Sequence, residues 1–312
     1  MGTLQVAFEA IMPLFIFIVI GLLVKRSGLL NTTELKHVNG MVFDVFLSVT
    51  MFYNIFLSKI ELSSQLNLII FAVVAVLIVF MLDFGGVCFF VKNNKERGAL
   101  IQAIYRTNFI ILGIPIVANI FGMDKVGITT VLVAIIVPLY NILAVITLET
   151  FRGGQFSAKK IVLGIFHNPL IKAAILALIL RTIGIELPGF ILKPLNQIRM
   201  ATTPIALIVL GASFSMTQSA HKLKELIACV FCRLVVVPGI VLPVAFFFGF
   251  RGVEFVTLLS LFSTPSAVSS FAMAQQLDSD AELAGNAVVY TSALSSFSMF
   301  LWLVIFKSIG AF

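Results

Sequence analysis

Ten apolar segments follow one another along this chain of 312 residues, separated by short polar loops. A membrane-spanning helix needs roughly 20 mainly apolar residues, and the segments are about that long. Hydrophobic residues make up 60% of the sequence and charged residues 11%, which excludes an ordinary soluble globular domain. The pattern therefore predicts an all-α membrane protein with ten transmembrane helices, embedded in the lipid bilayer.

The ten segments divide into two halves of five. The first half, residues 1–148, contains Val6–Val24, Asn39–Leu57, Leu68–Val91, Gly98–Gly122 and Val126–Leu148. The second half, residues 161–312, contains Ile161–Leu180, Leu195–Met216, Leu226–Phe250, Val253–Leu277 and Leu283–Ile309. Residues 149–160 form a short cytoplasmic linker. Because five is an odd number of spans, the second half is predicted to be inverted relative to the first.

Residues that match at a nearly constant offset indicate that the halves are repeats. Gly127 and Gly285, which begin segments five and ten, are 158 positions apart. The same offset sets Asn108 of segment four against Ser266 of segment nine. Inverted repeats with discontinuous helices that meet at the midplane are typical of secondary transporters.

Loop charge predicts the orientation. The loops after the odd-numbered segments carry more Lys and Arg than the loops after the even-numbered ones. The positive-inside rule then places both termini outside, and we expect the membrane to be a bacterial plasma membrane. The net charge of +7 is interpreted as loop charge rather than as a nucleic-acid footprint.

Polar residues interrupt segments four and nine near their centres. Arg106 to Asn108 begin about 12 Å from the start of segment four, close to the middle of a bilayer core about 30 Å thick. Segment nine carries Ser263-Thr264-Pro265-Ser266 at the corresponding place, and a proline there removes a backbone donor. The sequence therefore predicts that helices four and nine are broken and cross at mid-depth.

These features resemble the auxin efflux carrier family, whose bacterial members include malate and malonate permeases. The residues that carry the resemblance are the N-x-x-x-x-G-I-P run Asn108–Pro115 with Phe121-Gly122, then Asn168-Pro169, the run Pro204–Gly211, Pro265 with Phe271 and Ala274, and Gly285. The resemblance covers essentially the whole chain.

The resemblance implies a ten-helix inverted-repeat fold like that of the bile-acid symporters. Helices 1, 2, 6 and 7 would form a scaffold, and helices 3–5 and 8–10 would form a moving transport unit. A homodimer would form through the scaffold helices. An anion would be held between the crossing helices and carried by an elevator-type movement. Thr107 stands where plant relatives have proline, and Ser266 where they have Asn or Gln, which favours a smaller solute than auxin.

Arg106 is the leading candidate for binding the anion, because its planar guanidinium matches a carboxylate. The neighbouring residues predicted to bind the solute are Thr107, Asn108, Thr264, Pro265 and Ser266 at the crossing, and Tyr140, Asn141 and Tyr290 in segments five and ten. Their neutral polar groups suit a carboxylate or a hydroxyl, although they could also satisfy backbone groups freed by the breaks.

Asp83 is the predicted ion-coupling residue. Segments three and four are antiparallel neighbours, and Asp83 and Arg106 lie at similar distances from the loop that joins them. The two side chains are therefore expected to pair. If a solute draws Arg106 away, Asp83 is then free to take up a proton, which would couple transport to a proton gradient.

The sequence leaves two other functions open and excludes a third. Oxygen atoms of Ser269, Ser270, Gln275 and Gln276 could support a sodium-coupled organic-anion symporter, and the same fold could serve as a non-transporting anion sensor. An enzyme is not expected, because HExxH and GxGD motifs are absent. No cofactor or metal is predicted either, since Cys229 and Cys232 have no second ligand pair in the sequence.

Overall fold

The computed structural model describes residues 3–57, 66–152, 158–213 and 222–312, and most residues in those ranges are helical. The first half contains α1 (Thr3–Arg26), α2 (Thr32–Met41), a π-helical turn (Val42–Leu47), α3 (Ser48–Phe56), α4 (Leu66–Phe90), α5 (Asn94–Tyr105), α6 (Phe109–Phe121) and α7 (Gly127–Phe151). The second half contains α8 (Ala158–His167), α9 (Pro169–Thr182), α10 (Gly189–Ser213), α11 (Leu223–Phe231), a π-helical turn (Cys232–Val236), α12 (Val237–Phe247), α13 (Gly252–Ser263), α14 (Ser269–Gln276) and α15 (Ala281–Ser308).

Five described stretches are long and apolar enough to cross a membrane, which makes this an integral membrane protein. They are Thr33–Phe56, Leu66–Phe90, Gly127–Phe151, Leu223–Phe247 and Ala281–Ser308. Two shorter apolar helices, Leu112–Phe121 and Gly252–Ser263, belong to the interrupted segments. The all-α membrane class is thus confirmed, whereas ten spans in two inverted repeats stay a prediction.

Two boundaries differ from those expected. Segment six is not one helix, because Asn168 ends α8 and caps α9: its side-chain oxygen accepts from the Leu170 N–H, and Pro169 occupies the first helical position, where no donor is needed. The linker predicted at 149–160 is shorter, since α7 continues to Phe151 and α8 begins at Ala158.

The closest helix packing joins α1 to α10. A side chain at Gly21 would collide with the backbone of α10 at Ile208, and one at Gly211 would collide with the backbone of α1 at Ile18. Glycine at both positions therefore lets the two backbones touch, which is how small residues favour helix association in membranes. Together with α3 and α9, this pair forms one wall of the molecule.

The two interruptions meet as a short antiparallel β-bridge. Thr107 pairs with Ser266 between α5–α6 and α13–α14. The Asn108 N–H donates to the Pro265 carbonyl at 2.8 Å, and the Ala267 N–H donates to the Arg106 carbonyl at 3.2 Å. Backbone that has left the helical pattern is thus paired with backbone of the other break, as the lack of water requires.

Arg233, in the second π-helical turn, bonds backbone carbonyls at both breaks. Its side chain is fully buried and donates to Ile104 O at the end of α5 (2.8 Å), to Thr264 O just beyond α13 (3.0 Å) and to Phe262 O within α13. Helix carboxyl ends carry partial negative charge and unpaired carbonyls, so one guanidinium satisfies both helix ends at once. Arg233 therefore holds the crossing together.

An ion cluster ties three loops outside the apolar spans. Lys95 bonds Asp278 at 2.7 Å, and Lys222 lies 3.4 Å from Glu96 and hydrogen-bonds Asp280. Partial burial opposes the charge on Lys222, but its bond to Asp280 and the nearby Glu96 together raise the pKa of this ammonium above its ordinary value. The cluster links the starts of α5, α11 and α15.

We expect Arg233→Met to lower the free energy of unfolding by about 3 kcal/mol or more, because three buried carbonyls each lose a charged donor. Arg233→Lys should restore only part of the loss, since an ammonium lacks the fork that reaches both helix ends. Thermal unfolding in detergent measures both variants. Lys125→Met, at an exposed ion pair with Asp124, is the control. An Arg233→Met protein as stable as this control would contradict the structural role.

Candidate functional site

A cavity of about 810 Å³ lies next to the crossing. Helices α6 and α7 line it on one side, and α1, α3 and α10 line it on the other. Its volume falls in the range of small-molecule sites. Its described polar lining is Thr50, Arg106, Thr107, Asn108, Asn119, Tyr140, Asn141, Arg199, Thr202, Thr203 and Ser269. No Asp or Glu is found among the described residues that line it.

Arg106 lies at the break between α5 and α6 and lines this cavity. It is only 4% exposed, and its guanidinium donates to Ser269 Oγ at 2.7 Å, to Met273 Sδ at 2.9 Å and to Asn141 Oδ1. None of these acceptors is charged. The positive charge of Arg106 is therefore positioned by neutral groups but not neutralised by them, which leaves it able to attract an anion.

Three polar groups beside Arg106 have no hydrogen-bond partner within the described residues. They are Thr107 Oγ1, Asn108 Nδ2 and the Tyr140 hydroxyl, and Thr107 and Tyr140 lie near each other without forming a good hydrogen bond. Buried polar groups of native proteins are nearly always paired. All three residues line the cavity, so a bound polar solute would supply the missing partners.

Four residues predicted to bind the solute do not line the cavity. Thr264 and Ser266 are fully buried, and the Ser266 hydroxyl donates to Ala103 O at 2.5 Å. Pro265 offers its carbonyl to the β-bridge. Tyr290 is 36% exposed on the outer surface. These residues build or surround the crossing, while Ser269, one turn further on, provides the contact to Arg106.

Asp83 lies beside a different cavity of about 760 Å³, between α4 and α11–α12. It makes no ion pair with Arg106; it interacts with the Tyr105 backbone and electrostatically with Arg233. One of its carboxylate oxygens has no hydrogen-bond partner. Its other electrostatic neighbours are the side chains of Tyr105, Cys88, Cys229 and Cys232. The expected Asp83–Arg106 pair is therefore not formed.

Three residues of this site are not among those predicted to bind the anion: Arg199, Ser269, which the sequence offered only as a possible sodium ligand, and Met273. Segment seven is predicted to start at Leu195, which places Arg199 near its end, whereas α10 begins at Gly189 and carries Arg199 well inside the helix. A helix start moved by six residues would have shown an arginine at depth. Ser269 and Met273 carry no such signal, because only the packing of α14 brings them to Arg106.

Metal ligation finds no support in the described ranges. No group of three or more His, Cys, Asp or Glu side chains comes together there. Cys88, Cys229 and Cys232 are free thiols within or beside apolar helices.

Discontinuous helices that meet inside an apolar helical protein, around a cavity with an unneutralised charge, define the class of membrane transporters. The sequence profile of the membrane transport protein family matches residues 6–155 and again residues 154–303. The chain therefore belongs to this family, which is that of the auxin efflux carriers.

Two archaeal relatives match nearly the full length. An uncharacterized transporter of Methanocaldococcus jannaschii is 28% identical over 314 residues, covering 96% of this chain and 98% of the relative. An uncharacterized transporter of Methanothermobacter thermautotrophicus is 22% identical over 300 residues, covering 95% of this chain and 97% of the relative.

Arg106→Gln is expected to shift the melting temperature by no more than a few degrees, about what a loss of 1 kcal/mol produces. Its partners are side chains at a cavity large enough for water, and no backbone carbonyl depends on its guanidinium. Thermal unfolding without added solute measures this, with Arg233→Met run in parallel. A loss as large as that of Arg233→Met would assign Arg106 to the framework instead.

Proposed function

We propose that this chain is a secondary active transporter of a small organic anion, with a carboxylate bound by Arg106. The observation that supports this most directly is the guanidinium itself: it lies at the crossing of two broken helices, on a solute-sized cavity, with neutral partners only. A charge at that depth is expensive unless a counter-charge arrives, and a transported anion is that counter-charge.

The binding mode follows from the groups around Arg106. Asn141 and Ser269 hold the guanidinium edge in place, so that a carboxylate can accept two parallel N–H bonds once it displaces one of these contacts. Asn108 Nδ2 and the hydroxyls of Thr107 and Tyr140 donate to its remaining oxygens or to a neighbouring hydroxyl. The carbonyl-rich ends of α5 and α13 are occupied by Arg233 and do not repel the anion.

We further propose ten spans in two inverted repeats that move as an elevator. The duplicated family match supports the repeat. The cavity has one wall on the α1–α10 pair and the other on the crossing, which is where a moving unit would slide along a fixed one. In this arrangement both termini lie outside the cell, and a homodimer would form through the fixed helices.

Coupling is proposed to use a proton on Asp83 or the membrane potential. Asp83 has an unpaired carboxylate oxygen next to Arg233, and Arg233 bonds the ends of both half-helices. A proton added to Asp83 removes a negative charge beside that guanidinium, which would alter how tightly the crossing is held. This route replaces the direct Asp83–Arg106 exchange expected from the sequence.

The purified protein tests the anion site directly. We expect carboxylates of two to five carbons to raise the melting temperature, because a ligand that binds only the folded state stabilises it by mass action. Arg106→Gln should abolish the shift, and the best-binding carboxylate should exchange across proteoliposomes in a counterflow assay. The control is Lys125→Gln, which removes an exposed cation outside the cavity. Ligand stabilisation that survives Arg106→Gln would refute the site, and binding without counterflow would point to a sensor.

Asp83→Asn is expected to preserve counterflow but to lose stimulation of uptake by an imposed pH gradient, because the amide cannot carry the proton. Uptake into proteoliposomes with and without the gradient measures this, and Asp44→Asn, an exposed acid of the first π-helical turn, is the matched control. Unchanged pH dependence in Asp83→Asn would refute the role. Uptake that follows a sodium gradient instead would favour the sodium-coupled alternative.

A further inference from the structure

Arg199 is a second arginine at the solute cavity. It projects from α10, whereas Arg106 belongs to the crossing. Its Nε and Nη2 both donate to Asn196 Oδ1, at 3.0 and 2.8 Å, and its guanidinium carbon lies 5.2 Å from the centre of the Tyr53 ring. These contacts fix the guanidinium through one edge and one face, and Nη1 has no partner in the described part of the chain.

Neither arginine is neutralised. The ion pairs formed by described residues involve neither Arg106 nor Arg199, and the described lining of the cavity contains no acid. The cavity lining therefore carries two formal positive charges, one from the crossing and one from α10. Charges of one sign in a cleft with low-dielectric walls reinforce one another, so a single monoanion would leave half of this charge uncompensated.

We propose that Arg199 forms a second anion subsite and sets the charge selectivity of the transporter, so that the cavity prefers a solute with two acidic groups over a monoanion of the same length. This inference rests on the proposed function, because it assumes that one acidic group binds Arg106. The second acidic group pairs with the free Nη1 side of Arg199.

The contacts of Arg199 argue against a purely structural role. Arg233 has a structural role, because each of its bonds goes to a backbone carbonyl at or next to the end of a half-helix. Arg199 bonds no backbone group of the described residues: its acceptor is the side chain of Asn196, one turn away on the same helix. Its other contact is the face of the Tyr53 ring of α3, which positions the guanidinium without satisfying a buried backbone carbonyl.

The position of Arg199 also gives it a distinct part in transport. Because α10 packs along α1 while Arg106 moves with the crossing in the proposed elevator, a solute with two acidic groups would touch both units when it is captured. The bond to Arg199 would break when the crossing moves, so Arg199 acts in capture and selection, while Arg106 stays with the solute.

Matched solutes of one and two charges test this inference. Butyrate with succinate, and valerate with glutarate, have equal carbon numbers, and their affinities follow from thermal-shift titrations of the full-length protein at pH 7.5. We expect the dianion of each pair to bind about tenfold more tightly to the wild type, as one charge-assisted hydrogen bond would give. Arg199→Gln should abolish this preference and leave the monoanion affinity within about twofold of the wild type.

Two further variants complete the design. Arg199→Lys keeps the charge and should retain part of the preference, which shows that a folded protein is being measured. Lys125→Gln removes an exposed cation outside the cavity and should leave the preference intact, which separates local pairing from long-range attraction.

The outcomes separate the two proposals. Equal affinity of the wild type for both members of each pair, or a preference that Arg199→Gln leaves unchanged, would overturn the role of Arg199 and leave the anion site at Arg106 standing. Monoanion and dianion binding that both survive Arg106→Gln would overturn the proposed function itself.

Discussion

Backbone groups freed by two broken helices are the constraint on which this structure depends. Inside a membrane no water can pair with them, so each break needs partners from the protein. The short bridge between Thr107 and Ser266 supplies some of these partners, and the guanidinium of Arg233 supplies the others by bonding both helix ends. The two breaks pair with each other and are held by Arg233 on one side. Their other side is therefore free to line the cavity.

The two buried arginines at the crossing, Arg106 and Arg233, differ in the groups to which they donate hydrogen bonds. The bonds of Arg233 all go to backbone carbonyls at the ends of two half-helices, where its charge faces the partial negative charge of the helix ends. Those of Arg106 go to two polar side chains and a sulfur, which orient the charge without cancelling it. Both side chains are almost inaccessible, so burial does not distinguish them; the nature of their acceptors does. The same criterion supports our proposal that Arg199 binds the solute rather than supporting the framework.

The polar residues at the crossing, all predicted to bind the solute, face different directions in the structure. Thr107 and Asn108 have unpaired polar groups at the cavity. The Ser266 hydroxyl instead donates a hydrogen bond to Ala103 O and does not line the cavity. A residue at a break can face either way, and that depends on the direction in which the partner helix approaches. The distance of Asp83 and Arg106 from their connecting loop likewise predicted that they lie at the same membrane depth. The side of α4 on which Asp83 lies, however, faces Arg233 and not Arg106.

The sequence by itself determined the membrane class, the family and the two points at which helices break, because apolar length, repeated motifs and proline or charge within a span are local properties of the chain. Which cation faces the cavity, and with which partner, was decided only by the tertiary structure. Arg106, Arg199 and Arg233 are equally polar in sequence. They differ because distant helices bring backbone carbonyls to Arg233 and neutral side chains to Arg106, and because α10 starts early enough to carry Arg199 along the cavity. Contacts between residues far apart in the chain are not encoded in any local pattern.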